Sequence, residues 1–389
     1  MRKALLILSM ALAAIASTAG ANERVRVYAF ILSQADTPQQ KMASVSAMVE
    51  LGDETAAPYL ADLLDQLVAA RSTVRKGSEL EDYERLTRLV VKALGDWRHT
   101  NSAGSIMRVV EDSSDPLSRA EALIALGSMR ASEYAEKIAL ILRNLTMTPP
   151  ADRDGAEKVA FGAVLALERM RSPLGFDPLF SASEGWYSKR VKEQAERSLE
   201  LVLPDPTDAL IALVAVETPD RILKALNLSL RSQATAERQR ELAAAVLARG
   251  IAMAPGRTRP EQVALADLRT RAMNALVSLG DRDGANAANY NEAYRIGATD
   301  ERLVALGALG ANRSAEAAGF LSAIIIQLNA DMSAGPVNET QNTLKRAALQ
   351  NAGVTGQKTL APAPILVQNN PNLSSSTTRL ATASPQAAL

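Results

Sequence analysis

The chain has 389 residues, with 43 basic and 43 acidic side chains, one histidine and no cysteine. Balanced charge removes the basic footprint that nucleic-acid binding requires, and the missing cysteine removes disulfides, thiolate metal sites and cysteine nucleophiles. Alanine and leucine carry the apolar content and aromatics make up only 4%, a mixture that favours helix over sheet.

Met1-Arg2-Lys3 is a short basic start, Ala4 to Ile15 an apolar run, and Ala19-Gly20-Ala21 a small-x-small cleavage site. Residues 1–21 therefore read as a secretory signal peptide. The apolar run is too short to span a bilayer comfortably, and no other run is long enough. No cysteine follows to take a lipid, so the expected location is the periplasm, with the extracellular space as the alternative. No stable membrane insertion is expected once the leader is gone. Its loss also removes Arg2 and Lys3, leaving a net charge of about −2.

After a lead-in at 25–34, Thr37-Pro38 starts a helix that ends at Leu51-Gly52. ETAAPYLADLLDQLVAA follows, with Leu60, Leu63, Leu64 and Leu67 at the three-and-four spacing of a buried helix face. The polar stretch Arg71 to Glu81 reads as an enlarged loop, followed by a helix to Gly95 and a shorter one at 102–110. The stretch DPLSRAEALIALGSM, 115–129, is the clearest helix. Asp115 caps the free amides, Pro116 suits the first helical position, and Gly127 is expected to stop it in the left-handed conformation. Pro149-Pro150 breaks the next segment. Residues 172–186, with two prolines and two glycines, read as a shortened, irregular helix. Helical segments then alternate with short polar turns to about 355. Residues 356–389 are rich in Ala, Pro, Ser, Thr and Asn and are expected to form a disordered low-complexity tail.

The 115–129 pattern comes back. Ala93-Leu94-Gly95 matches Ala125-Leu126-Gly127; Val191, Lys192, Ala195, Ser198 and Leu199 take the same relative positions downstream. So do Arg269, Ala272, Ala275 and Leu276, and again Arg302, Ala305, Ala308, Leu309 and Gly310. Self-similarity at thirty to forty-odd residues marks a stacked repeat array, whose units hide their apolar faces only against neighbours. On these residues the chain resembles the HEAT-repeat, armadillo-like family over about 35–355. The resemblance implies an all-α fold, a right-handed α-solenoid of stacked antiparallel helix pairs with about eight to nine repeats, spanning 22–355. It also implies that the recurring cation at 119, 192, 269, 302 and 345 serves stacking, bonding a neighbour's carboxylate or turn carbonyls.

No catalytic constellation emerges. His99 has no nucleophile elbow or acidic partner at motif spacing, and one histidine cannot complete a zinc site. DRDG at 152–155 and DRDGAN at 281–286 open like calcium loops but lack the distal glutamate, and both fit turn geometry. No catalytic residue, metal or cofactor is therefore assigned. Two patches are candidates for a partner. Trp186, Tyr187, Lys189 and Arg190 join large aromatics to cations where the repeat is irregular, the composition of interface hot spots; the competing reading has Trp186 filling the gap left by a short helix. The second patch is the mixed-charge stretch Arg71 to Glu84. The expected function is a non-catalytic exported scaffold that binds partner proteins, with an assembly factor of an envelope structure as one form of it and self-association left open. The alternatives are a receptor or carrier for an envelope polymer or ligand, and a HEAT-type lyase.

Overall fold

The computed structural model describes residues 21–71, 77–334 and 338–356, so the leader and the tail expected from sequence lie outside the described residues except at their inner ends. Among the described residues there is helix and no strand. The helices fall into two units that divide at Pro204.

The first unit holds five helix pairs: α1 (Ala21–Ser33) with α2 (Pro38–Leu51), α3 (Ala57–Ala70) with α4 (Ser78–Asp96), α5 (Ala103–Asp112) with α6 (Pro116–Met129), α7 (Ala135–Met147) with α8 (Arg153–Met170), and α9 (Phe176–Glu184) with α10 (Lys189–Val202). Second helices pack on second helices, α2 on α4, then α6, α8 and α10 in turn; α3 meets α5 and α7 meets α9 in the other layer. The second unit holds four pairs: α11 (Thr207–Val214) with α12 (Pro219–Arg231), α13 (Ala236–Ala252) with α14 (Arg259–Ser278), α15 (Ala287–Ile296) with α16 (Thr299–Asn312), and α17 (Ala315–Ala334) with α18 (Glu339–Thr355). The same rule orders it, with α12, α14, α16 and α18 in one layer and α11, α13, α15 and α17 in the other. Each unit is an all-α stack of antiparallel pairs, and the nine described pairs agree with the eight to nine repeats expected.

The core of each stack lies between its layers. Leu94, Leu123, Leu126, Val164 and Leu167 are fully buried in the first unit, and Leu268, Leu276, Leu306 and Leu309 in the second. Each buried leucine contributes roughly 1.5–3 kcal/mol, too little for one pair to offset its ordering entropy, so neighbours must fold together.

The start of α6 is built as its sequence requires. Asp115 accepts the amides of Leu117 and Ser118 at 3.4 and 2.9 Å, and Pro116 occupies the first helical position. Its end is not. Gly127 lies inside the helix, and a Cβ there would stand 2.6 Å from the Cα of Ala166 on α8. Gly95 faces Ala125 in the same way, at 2.7 Å, and Gly162 faces the Ala120 carbonyl oxygen at 2.8 Å. The Leu-Gly ending is thus a place where two second helices touch backbone to backbone, not a stop.

The stop comes three residues later, on arginine. Arg98, Arg130 and Arg171 take left-handed φ values of 52°, 55° and 51° after α4, α6 and α8. Arg130 donates its amide to Gly127 and Ala131 to Leu126, at 3.0 and 3.1 Å, closing the last carbonyls. Arg98 and His99 repeat this on Gly95 and Leu94. The ends of α2, α14 and α18 instead use glycines with positive φ, Gly52, Gly280 and Gly356. A left-handed non-glycine residue costs roughly 1–2 kcal/mol, while a cation at a helix C-terminus returns about 0.3–1 kcal/mol. The dipole alone does not offset the strain.

The recurring cation reaches back to the first helix of its own pair. Arg119 Nε donates to the Val110 carbonyl on α5 at 3.0 Å, and Arg269 Nη1 to the Gly250 carbonyl on α13 at 3.2 Å. Arg302 stacks over the Tyr294 ring of α15 at 5.6 Å, and Lys345 Nζ donates to Asn329 on α17 at 2.7 Å. Arg269 also forks onto the buried Glu301 carboxylate of α16, with Nη2 to Oε2 at 3.0 Å. Lys192 departs from the pattern, being half-exposed and without a side-chain hydrogen bond or ion pair among the described residues.

Candidate interaction surface on the second helices

Glycines and alanines bring α4, α6 and α8 into close contact, and these helices together with α10 share one open groove of about 500 Å³. Leu117, Ile124 and Phe161 give it an apolar floor, and Leu117 is 48% exposed. Its rim carries Arg88, Lys158 and Arg190 against Glu121, Asp154 and Glu157. Most of these charges are already held. Arg88 bonds Asp115, Lys158 bonds Asp154 at 2.5 Å, and Glu157 accepts both the amide and the hydroxyl of Ser188. Burial raises the Glu121 carboxyl above its usual range, with Lys92 opposing it. An apolar centre with paired charges around it is the anatomy of a protein-binding patch.

The structure divides the patch expected at 186–190. Trp186 donates Nε1 to the Leu145 carbonyl on α7 at 2.9 Å and lies under the Arg153 guanidinium at 5.6 Å. Tyr187 is buried at 3% exposure, stacked 4.4 Å from Trp186 with its hydroxyl 3.0 Å from that of Thr146. Its burial pushes the phenol pKa up. Both rings thus bond the C-terminal turn of α7, following the nine-residue α9. Lys189 is exposed and pairs with Glu193 at 3.6 Å along its own helix. Arg190 alone of the four reaches the groove, its guanidinium 4.4 Å over the Phe161 ring. The groove residues on α6 and α8 were missed from sequence; exposed Leu117, one step after a helix-opening proline, was the available signal.

No family model matches the chain, and no curated protein does. A solved structure to which it is similar is that of human deoxyhypusine hydroxylase in complex with glycerol, at 15% identity over 86% of this chain and 99% of that one. The TM-score is 0.27, so neither the fold nor the groove is argued from that likeness.

The remaining candidates are absorbed by the fold. The projecting loop expected at Arg71 to Glu84 is corrected: helix begins at Ser78, and Tyr83 and Glu84 are buried because they pack against α3 and α5. Glu84 accepts the Ser113 hydroxyl at 3.0 Å and pairs with Arg71 at 3.4 Å, and residues 72–76 lie outside the described residues. His99 Nδ1 sits 2.8 Å from the hydroxyl of Ser102, which is buried. Asp152 caps α8 through the Gly155 amide, 3.0 Å away. Asp281 spends its carboxylate on Tyr290 at 2.6 Å, Asn286 at 3.1 Å and Asn312 at 3.0 Å. Both DRDG stretches thus serve turns. Among the described residues no three His, Asp or Glu side chains gather as metal ligands, and no helix is long and apolar enough to cross a membrane.

Proposed function

We propose that the chain is an exported scaffold of HEAT-repeat type that binds a partner protein and performs no catalysis. The observation that supports this reading is the groove across α4, α6, α8 and α10. It presents Leu117, Ile124 and Phe161 inside a rim whose Arg88 and Lys158 are already paired with Asp115 and Asp154, so a partner can cover apolar surface without stranding those ions. Arg190, its guanidinium 4.4 Å over the Phe161 ring, supplies a planar donor of the kind enriched at hot spots. The stack fixes the spacing of these side chains because glycine-mediated backbone contacts leave the second helices no room to slide.

The test is photocrosslinking in the native cell, with the reactive side chain at Leu117 and, as control, at Leu140 on the first-helix side, which is 52% exposed. One dominant protein adduct at 117 and not at 140 supports the scaffold and names its partner. An adduct with a second copy of the chain identifies the partner as the chain itself. No adduct at 117, or the same set at both positions, overturns the assignment of the groove. Export is tested separately by the mass of the protein in the periplasmic fraction, which should correspond to a chain starting at Asn22. An intact leader in the cytoplasmic fraction would remove that part of the reading.

A further inference from the structure

The same four helices carry a second cleft at their opposite ends. It is about 440 Å³, open, and lined by Arg98, Arg130, Arg169 and Arg171 with Asp96, Glu168 and exposed Leu201. The acids in it are occupied: Asp96 pairs with Lys92 at 3.0 Å, and Glu168 accepts from Gln194 and from the Ser198 hydroxyl at 2.6 Å. Arg169 is tied to Ser128 at 2.6 Å. Arg98, Arg130 and Arg171 are different. All three are exposed, and among the described residues their guanidinium groups make no hydrogen bond, ion pair or ring contact. They are also the three left-handed residues that end α4, α6 and α8, at positions where the ends of α2, α14 and α18 carry glycine.

We infer that Arg98, Arg130 and Arg171 form a ladder that binds an acidic peptide segment of a partner protein, one carboxylate per helix pair. The cleft is separate from the groove, and the inference holds whether or not the groove is occupied. Its first support is placement. One arginine stands at the end of each of three successive second helices, which touch through Gly95, Gly127 and Gly162, and packed helices lie about 8–10 Å apart. An extended peptide presents same-face side chains every ~6.6–6.8 Å, within the reach of flexible arginines at that spacing. Its second support is chemistry. Guanidinium forks match carboxylates two bonds at a time; Glu168 and Asp96 bond other partners, and the lining holds four arginines against these two acids. The cleft lining contains no aromatic ring, the platform on which nucleotide bases stack, so a polynucleotide is disfavoured. Strain is the third support: local backbone preference favours glycine at all three turns, and the chain places a long cation there each time.

Glycine is also what makes the inference testable, since Arg98→Gly, Arg130→Gly and Arg171→Gly suit the left-handed turn and leave the stack intact. The probe is a fluorescein-labelled peptide of alternating Glu and Ser, read by anisotropy at low salt with the mature full chain. The wild type is expected to bind it, to lose affinity as salt rises, and to ignore the matching Lys-Ser peptide. The triple glycine variant should bind at least tenfold more weakly while melting no lower than wild type. Arg130→Lys, which keeps charge but not the fork, should fall between. An absence of binding by wild type, or equal binding by the triple variant, overturns the ladder. Inorganic polyphosphate competing more strongly than the Glu-Ser peptide through the same arginines overturns the peptide and assigns the row to a phosphate polymer.

Discussion

Removing one partner of the Arg269–Glu301 pair should be among the most damaging single changes in the second unit. Glu301 is 3% exposed and Arg269 8%, and the pair ties α14 to α16 while Arg269 Nη1 closes the Gly250 carbonyl on α13 at 3.2 Å. In Glu301→Leu the guanidinium stays buried with the Gly250 carbonyl as its remaining partner, and breaking such a pair costs about 3–5 kcal/mol. Arg269→Met strands the carboxylate instead and should cost a similar amount. Replacing both, as Arg269→Met with Glu301→Leu, leaves no buried charge. The cost should then drop to that of the lost Gly250 bond, about 1 kcal/mol. Arg269→Met, Glu301→Leu and their combination define a double-mutant cycle, and with singles of about 3–5 kcal/mol against a double of about 1 kcal/mol the coupling energy should be about 5 kcal/mol or more. Urea unfolding followed by far-ultraviolet circular dichroism measures it, with the slope checked for constancy across the variants. Single substitutions that each cost under about 1 kcal/mol and add without coupling would mean that the pair is solvated, and the argument from burial would fail.

Three further expectations rest on other features. Gly127→Ala gains up to about 1 kcal/mol of helix propensity yet puts a Cβ 2.6 Å from the Ala166 backbone, so its thermal midpoint should fall, by a net of about 1–3 kcal/mol. Gly307→Ala, which meets nothing within 4 Å, should raise it; a rise for both would show that the helices are free to separate. Trp186→Ala should destabilise by about 2 kcal/mol and Trp186→Phe by about 1 kcal/mol, through the lost bond to the Leu145 carbonyl, and calorimetry on the pair separates the two contributions. Lys345 is fully buried, and desolvation pushes its ammonium down to about 8 from 10.5. Between those values the unfolded chain holds the proton that the folded one has released. Stability relative to Lys345→Met should therefore rise from pH 8 towards pH 10, by on the order of 2 kcal/mol. A flat difference across that window would place the ammonium in water.

The helix pairs were legible because each repeats the same solution. Asp-Pro or Thr-Pro opens a helix and apolar residues at three-and-four spacing mark its inner face, and both are local. The cations at 119, 302 and 345 were legible as structural for the same reason, since each reaches its own pair, while Arg269 reaches its own pair and also Glu301 of the next. What the sequence hid is what depends on the neighbouring pair. A glycine near the end of a helix reads as a stop from its own chain alone; only the approach of Ala166 reveals Gly127 as a contact. The groove was hidden likewise, because Leu117, Phe161 and Arg190 lie on three helices and no spacing joins them. The aromatics at 186 and 187 carry two readings in sequence, a binding hot spot or a filler beside a short helix. Only the bonds of Trp186 to the Leu145 carbonyl and of Tyr187 to Thr146, both on α7, show how much of each ring the fold uses.

Glycine and arginine have exchanged their usual places in the first unit, and the exchange has a mechanical reading. Glycine in a helix interior weakens the helix by about 1 kcal/mol, and arginine in a left-handed turn strains the backbone. Both penalties fall on the second-helix layer, at Gly95, Gly127 and Gly162 and at Arg98, Arg130 and Arg171. The glycines bring α4, α6 and α8 into contact and so set a short, fixed interval between successive helix ends. The arginines stand at those ends and inherit the interval. A row of cations at regular spacing needs both departures together: without the glycines the spacing widens with each side chain inserted, and without the arginines the close contacts hold nothing in register. That the two departures fall on the same three helices is the reason to treat this layer, rather than the first-helix side, as the working face of the unit.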